Sequence, residues 1–179
     1  MSVVMKFGGT SVADEAAIRR LTAIVRQQIE RAAGDRVPVV VVSALSKVTD
    51  GLLHVARSME SGDRDQAITR LNELAERHVG IASALTSGAR LVDVIRDLRA
   101  EFAAASDMVR ALSSLHEVSP PQLDAMASTG ELASSRLVAA ALAESGVPAA
   151  WVDAREVMLT DAEHTRAAPD INGTCSRVQ

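Results

Sequence analysis

The first dozen residues carry the side chains best suited to phosphate chemistry. A short apolar run ends in Lys6 and Phe7, two glycines follow at Gly8 and Gly9, and Thr10 leads into a helical pattern. Strand, glycine turn and helix in this order predict a phosphate-binding turn, because glycines let backbone N–H groups approach an anion and the helix N-terminus adds partial positive charge. Lys6 would add a full positive charge at the carboxyl end of the strand, where open α/β sheets bind ligands. The alternative is a tight turn whose lysine faces solvent, since the motif lacks the Gly-Lys-Ser/Thr ending of a P-loop.

A second polar segment repeats this design. Residues 37–42 form a run rich in valine, and Ser43, Lys47 and Thr49 follow it just before a predicted helix. Of the 19 basic residues only Lys6 and Lys47 are lysines. Lysine is a compact charge with movable donors, which suits a phosphoryl group whose charge shifts during transfer. The simpler interpretation makes Thr49 a helix cap and Lys47 a solvated loop charge.

A third polar segment surrounds Glu131. Ser128-x-x-Glu131 has the spacing of a capping box, and a helix is predicted to run from there to Glu144. A carboxylate at this point could instead bind the ammonium group of a small substrate. The spacing alone favours the cap.

The elements that join these segments predict an α/β fold. Ser11-x-x-Asp14 indicates a capping box that opens a helix, and Gly34 is expected to end it. The valine run that follows does not alternate with polar residues, which is typical of a strand buried on both faces and hence of a parallel sheet between helical layers. Residues 147–152 predict a third strand, and residues 171–179 show no periodicity and are expected to form a tail.

Residues 63–117 interrupt the α/β pattern. Two apolar stripes with helical spacing, separated by Thr86-Ser87-Gly88, predict a helical hairpin inserted into the core. His78 lies on the apolar face of the first helix, so we expect a packed core histidine rather than a catalytic one.

Composition narrows the classes of function. Aromatic residues make up 2% of the chain and the net charge is −4, which argues against nucleic-acid binding. The histidines and the one cysteine show no metal-ligand spacing, so no metal site is predicted. A single cysteine cannot form an internal disulfide, and neither a signal peptide nor a stretch long enough to span a membrane is evident, so we expect a cytoplasmic protein without membrane contacts.

Three motifs together resemble the N-terminal half of aspartate kinases, which belong to the amino-acid kinase superfamily. They are Lys6-Phe-Gly-Gly-Thr-Ser-Val12, Val42-Ser-Ala-Leu-Ser-Lys-Val-Thr-Asp50 and Thr129-Gly-Glu-Leu-Ala-Ser-Ser-Arg136. Trp151-Val-Asp-Ala-Arg-Glu-Val157 and Thr160-Asp161 continue the match in the same order. The first motif alone is shared loosely with other amino-acid kinases, whereas the full set is specific.

The resemblance implies an open, mainly parallel sheet between helical layers, and a reaction in which MgATP phosphorylates the side-chain carboxylate of L-aspartate. The product, 4-phospho-L-aspartate, begins the synthesis of lysine, threonine and methionine. The role that the family gives to Glu131, recognition of the aspartate amino group, outweighs its interpretation as a cap. By the same resemblance the phosphate-side residues are Lys6, Gly8, Gly9 and Thr10, with Lys6 also catalytic, and the substrate-side residues are Ser43, Thr49 and Glu131.

Two departures from the family pattern stand out. The family has an aromatic residue and a glycine soon after the Thr-Asp pair, where this sequence has His164 and Thr165, which puts substrate contacts or the local turn in doubt. By this resemblance, residues 1–170 are expected to form the substrate- and phosphate-side part of a kinase domain, and the nucleotide half and the regulatory ACT domains are expected to be missing. We therefore expect the chain to be inactive alone, and to form an oligomer or to need the missing half. The alternative is a non-catalytic amino-acid-binding or interaction module derived from an aspartate kinase.

Overall fold

A parallel pair of short strands forms the sheet that the N-terminal motifs require. The computed structural model describes residues 3–32, 37–113 and 115–177. Strand β1 (Val4–Phe7) pairs in parallel with β2 (Val39–Val42), and helix α1 (Glu15–Arg31) lies between them in sequence. In the described part of the chain the sheet consists of these two strands. The predicted βαβ unit and its α/β fold class are confirmed.

The two faces of this sheet differ in burial. Val40 and Val42 are half-buried against the core, whereas the side chains of Val39 and Val41 are 53% and 44% exposed. The prediction that the valine run is buried on both faces is therefore wrong for this structure. The helices of the described ranges cover one face, and every second side chain of β2 points away from it.

Helix α1 begins three residues later than the capping-box prediction requires. A single 3₁₀ turn (Gly9–Val12) follows β1, and Asp14 then caps α1 by accepting the backbone N–H of Ala17 at 2.8 Å. The predicted cap at Ser11 is wrong, because Ser11 lies inside the turn and donates its own backbone N–H to the Gly8 carbonyl. The predicted stop at Gly34 lies outside the described residues.

Together with α1, four further helices build the core beside the sheet. Thr86 and Ser87 separate two of them, which pack side by side and confirm the predicted hairpin. Fully buried side chains such as Leu71 and Leu98 line the inner side of the hairpin. His78 is also fully buried, as expected. The helices are α2 (Val48–Glu60), α3 (Arg64–Leu85), α4 (Gly88–Leu112) and α5 (Pro120–Glu144).

Helix α5 starts well before the third motif. It begins at Pro120, and the side chain of Gln122 accepts the backbone N–H of Ser119 at 2.8 Å. The predicted capping box at Ser128 and Glu131 is wrong, because both residues lie inside a continuous helix. Proline at the first helical position needs no N–H partner there and favours the earlier start.

The last thirty or so residues also differ from the predictions. Residues 147–152 form no strand, and Pro148 among them lacks the N–H that a ladder requires. A short helix α6 (Ala154–Val157) follows, and Thr160 and Pro169 form an isolated antiparallel bridge. The expected tail contains helix α7 (Ile171–Arg177), which Asp170 supports by accepting the backbone N–H of Gly173 at 3.0 Å. Apolar periodicity could not reveal α7, because it buries no side chain.

Candidate active site

The carboxyl ends of the two strands bring the first and second motifs together. Ser43, the residue after β2, donates its backbone N–H to the carbonyl of Phe7 at 3.1 Å. The glycine turn and the loop from Ser43 to Thr49 therefore start side by side at one edge of the sheet. This is the edge at which open parallel sheets bind ligands.

The two glycines of the turn have different surroundings. A Cβ atom on Gly9 would lie 3.0 Å from the carbonyl oxygen of Ala44, so Gly9 allows the turn to touch the second loop. A Cβ atom on Gly8 would meet only the Lys6 ammonium, at 3.9 Å. The turn is therefore accessible at Gly8, next to Lys6, and is covered by the second loop at Gly9. Lys6 and Thr10 are exposed at this turn.

The second loop is anchored at its buried centre. Ala44 and Leu45 are buried, whereas the predicted substrate residues Ser43 and Thr49 are half-buried. Lys47 adopts a left-handed conformation with φ of 66° immediately before α2, which lysine rarely does. The loop therefore turns sharply, and Thr49 lies in the first turn of α2 rather than at its cap.

Helix α5 brings the third motif against the second loop. A Cβ atom on Gly130 would lie 3.0 Å from both the Ala44 Cβ and the Val48 Cγ1, so the helix and the loop are in close contact there. One turn further on, the buried hydroxyl of Ser134 donates to the Ser43 carbonyl at 2.8 Å. Glu131, next to Gly130, is exposed and does not cap a helix, so its carboxylate is available to a ligand. Three segments far apart in sequence thus meet at one edge of the sheet.

The fourth motif packs on the third. The Arg136 guanidinium lies 3.7 Å from the centre of the Trp151 ring, and Trp151 Nε1 donates to the Ser135 hydroxyl at 2.9 Å. Asp153 is buried and accepts the backbone N–H of Arg155 at 2.9 Å. The side-chain hydrogen bond from Arg155 is the largest cause that lowers the pKa of Asp153, so this carboxylate is ionised and structural.

The two residues that depart from the family pattern form a strained turn. Thr165 has φ of 67°, in the left-handed region that favours glycine. The Asp124 carboxylate of α5 holds the turn by accepting the backbone N–H of Thr165 at 2.9 Å and by contacting His164 Nδ1 at 3.0 Å. Thr165 therefore holds a backbone conformation that glycine would adopt more readily.

Sequence reasoning missed the residues that join the loops from outside the motifs. Arg77 of α3 hydrogen-bonds to the carbonyls of Ala13 and Ser46, and no local spacing signals such a contact.

A cleft of about 420 Å³ opens between α2 and α3. None of the predicted site residues lines this cleft, which adjoins the candidate site at Lys47 of the second loop. The lining residues are Lys47, Asp50, Gly51, His54 and Arg70.

None of the described helices combines the length and the hydropathy that crossing a bilayer requires. Within residues 3–32, 37–113 and 115–177, no three or more His, Cys, Asp or Glu side chains are grouped so that they could hold a metal ion.

Comparison with known proteins identifies the class of protein. The model of the amino acid kinase family matches residues 1–174. The chain therefore belongs to the amino acid kinase family. Its α/β fold, with a parallel pair of strands whose carboxyl ends meet beside a glycine turn, agrees with that assignment.

Within this family the chain is similar to aspartokinases, and the resemblance found in the motifs is confirmed. It is 35% identical over 169 residues to the lysine-sensitive aspartokinase 3 of Escherichia coli, covering 94% of this chain and 34% of that protein. It is 33% identical over 159 residues to a chloroplastic bifunctional aspartokinase/homoserine dehydrogenase 1 of Zea mays, covering 88% of this chain and 16% of that protein. The chain thus spans about a third or less of the length of these relatives.

Solved structures give the same result. The structure of E. coli aspartokinase III in complex with lysine and aspartate superposes with a TM-score of 0.83 at 30% identity, over 99% of this chain and 37% of the other. The complex of the same enzyme with aspartate and ADP gives a TM-score of 0.81. The arrangement of helices around the two strands is therefore that of an aspartokinase.

Proposed function

We propose that residues 1–170 form the substrate- and phosphate-side part of an aspartate kinase, which phosphorylates the side-chain carboxylate of L-aspartate with MgATP. The observation that carries the proposal is the meeting of three motifs, in which Gly9 and Gly130 both lie against Ala44. The similarity to an aspartokinase solved with aspartate supports it further. The reaction would begin the synthesis of lysine, threonine and methionine.

The residues at the glycine turn fit the phosphate end of MgATP. Lys6 is exposed beside the open side of Gly8, where a ligand that approaches the backbone would meet the Lys6 ammonium and no other side chain. The turn with Gly9 and Thr10 would hold the phosphates, and Lys6 would offset the negative charge that spreads over the equatorial oxygens. When bound, MgATP would supply the transferable phosphoryl group and the positive charge of the metal.

The residues of the second and third motifs fit a small amino acid. Glu131 would bind the ammonium group of L-aspartate through a charge-assisted contact, and the hydroxyls of Ser43 and Thr49 would orient its carboxylates. Phosphoryl transfer needs little covalent chemistry from the protein beyond such positioning. One lysine, backbone amides, hydroxyls and one carboxylate, together with the magnesium of MgATP, would supply this side's share of that positioning.

Calorimetric titration of L-aspartate and then of MgATP into the purified chain tests the proposal. We expect L-aspartate to bind, and Glu131→Gln to weaken its binding by about 10- to 100-fold, because a hydrogen bond to a charged group contributes about 1.5–3 kcal/mol. The control Glu30→Gln, at an exposed position on α1, should leave the affinity unchanged.

The three possible outcomes bear differently on the proposed kinase function and on its alternative. Binding of both ligands supports the kinase. Binding of L-aspartate without MgATP is the result expected of the substrate- and phosphate-side part by itself, because the main nucleotide site of the family is expected outside residues 1–170. This result is also compatible with the alternative, a non-catalytic amino-acid-binding module. If the chain melts cooperatively but millimolar L-aspartate produces no heat of binding, the proposed substrate is contradicted.

A further inference from the structure

One side chain outside the four motifs touches both loops of the candidate site. Arg77, in the middle of α3, donates from Nη1 to the carbonyl oxygen of Ser46 at 2.8 Å and from Nη2 to that of Ala13 at 2.9 Å. Ser46 lies in the loop between β2 and α2, and Ala13 follows the glycine turn. Arg77 is half-buried, so water competes less for these hydrogen bonds than at an open surface.

The chemistry of the guanidinium makes this contact specific. Its donors lie in one rigid plane, so two carbonyl oxygens bound to the same group are held at a set spacing and orientation. A lysine offers a single nitrogen on a flexible stem and would not impose that spacing. The bridge therefore requires arginine rather than positive charge alone.

The bridge reinforces a contact that the loops already make. Gly9 approaches the Ala44 carbonyl so closely that a Cβ atom there would lie 3.0 Å away, and the Ser46 Cα would lie 3.6 Å from the same point. Arg77 reaches the two loops from α3, a helix of the hairpin that contributes none of the predicted site residues. The glycine turn and the second loop are thus joined directly at Gly9 and indirectly through Arg77.

We propose that Arg77 is a positioning residue that holds the phosphate-side turn and the substrate-side loop at a set spacing. The inference rests on the proposed function, in which one loop binds the phosphoryl donor and the other binds the acceptor. Transfer between them depends on alignment, and a misplacement of about 1 Å can cost on the order of 100-fold in rate. The helical hairpin would then contribute to the site through this one side chain.

Hydrogen exchange measured by NMR on the full chain tests the coupling directly. The reporters are the backbone amides of Ser11, bonded to the Gly8 carbonyl, and of Val48, bonded to the Leu45 carbonyl. In Arg77→Gln both amides should exchange about tenfold faster or more, because two charge-assisted hydrogen bonds are lost. The amide of Phe102, in the middle of α4, should be unaffected.

Two further variants separate positioning from charge and from general packing. Arg77→Lys keeps the charge and most of the stem but not the planar fork, so it should restore at most part of the protection. Arg19→Gln is the matched control, since Arg19 also donates to a backbone carbonyl, that of Ala84 at 2.7 Å, but away from both loops. This control should change neither reporter amide.

Titration with L-aspartate completes the test. Weaker binding by about tenfold or more in Arg77→Gln, together with faster exchange at both reporters, supports the inference. Unchanged exchange at either reporter in both Arg77 variants would overturn it, and so would faster exchange with unchanged L-aspartate affinity. If the wild-type chain binds no L-aspartate, the proposed function fails, and the exchange data alone decide whether Arg77 couples the loops.

Discussion

Single residues of this chain hold conformations that their side chains disfavour. Thr165 is the clearest example, since a β-branched residue at φ of 67° is uncommon. Its backbone N–H donates to both carboxylate oxygens of Asp124, at 3.1 and 2.9 Å. This tertiary contact to α5 therefore holds Thr165 in the strained conformation. A residue better suited to the left-handed region should relieve the strain.

Thr165→Gly is expected to raise the free energy of unfolding by about 1 kcal/mol. The left-handed conformation costs an L-residue about 1–2 kcal/mol, from which the larger entropy of glycine in the unfolded chain subtracts about 0.4–1 kcal/mol. Urea denaturation followed by circular dichroism measures the difference. Thr165→Ala, which keeps a Cβ atom, is the control, and equal stability of the two variants would contradict the explanation.

His78 is a buried residue with an unpaired ring nitrogen. Its Nδ1 lies 2.7 Å from the Leu74 carbonyl and donates to it, while Nε2 has no partner among the described residues. The ring packs 5.1 Å from that of Phe102. Burial lowers the pKa of His78 from 6.5 to about 4, since the desolvation and the nearby charge of Arg77 outweigh the hydrogen bond to Leu74. The histidine is therefore neutral in the folded protein near pH 7.

The wild-type chain should lose stability as the pH falls below about 6.5. Between pH 6.5 and about 4 the unfolded chain gains a proton at His78 that the folded chain does not accept, so the free energy of unfolding decreases. From pH 7 to pH 5 this contribution amounts to about 2 kcal/mol. Urea denaturation at pH 7 and at pH 5 should show that the free energy of unfolding of His78→Leu falls by about 2 kcal/mol less than that of the wild type. A replacement of the exposed His54 by Gln is the control, and equal losses in wild type and His78→Leu would contradict the prediction.

At the scale of elements, the contact between α5 and the second loop organises the candidate site. Gly130 permits this contact, because a Cβ atom there would lie 3.0 Å from the Ala44 and Val48 side chains and 3.2 Å from Leu52. Gly80 on α3 is its counterpart, since a Cβ atom there would meet nothing within 4 Å. The two helical glycines therefore differ in packing and not in backbone conformation.

Alanine at these two positions should have opposite effects. Gly130→Ala is expected to lower the free energy of unfolding by about 1–3 kcal/mol, because the added methyl group overpacks the junction between helix and loop. Gly80→Ala should raise it by up to about 1 kcal/mol, because alanine is the better helix former. Thermal and urea unfolding of both variants give the comparison. Stabilisation by Gly130→Ala would show that α5 can move away from the loop at little cost.

At the scale of the whole molecule, the sheet leaves one apolar face exposed. The side chains of Val4, Val39 and Val41 are 65%, 53% and 44% exposed, and all three lie in paired strands. Exposed apolar surface of this kind favours association, and an open strand edge adds unpaired backbone groups. The described part of the chain does not cover this face.

The double variant Val39→Thr, Val41→Thr should associate less than the wild type. Threonine keeps the β-branched shape that suits a strand while replacing one methyl group by a hydroxyl. Sedimentation velocity over a range of concentrations measures the change. Val92→Thr, at a 67% exposed position on α4, is the control for loss of a single exposed valine. Unchanged association in the double variant would exclude this face as its cause.

Much of this architecture follows from local patterns in the sequence. Three patterns specify strands, a turn and helices, because each depends on neighbours in the chain. They are Lys6-Phe7 followed by two glycines, the valine run from Val39 to Val42 and the apolar stripes of the hairpin. The set of motifs also led to the correct family. Element boundaries were predicted less accurately, since Asp14 rather than Ser11 caps α1 and α5 begins at Pro120 rather than near Ser128.

Only the tertiary structure determined how these pieces meet. The 3.0 Å approach of Gly9 to Ala44, the packing of Gly130 on the same loop and the bridge from Arg77 join residues that are far apart in sequence. Periodicity reports which face of an element is apolar, but not which partner covers it, and so it could not show that one face of β2 is exposed. Contacts between distant segments arise when the whole chain packs, and for that reason they carry no local signal.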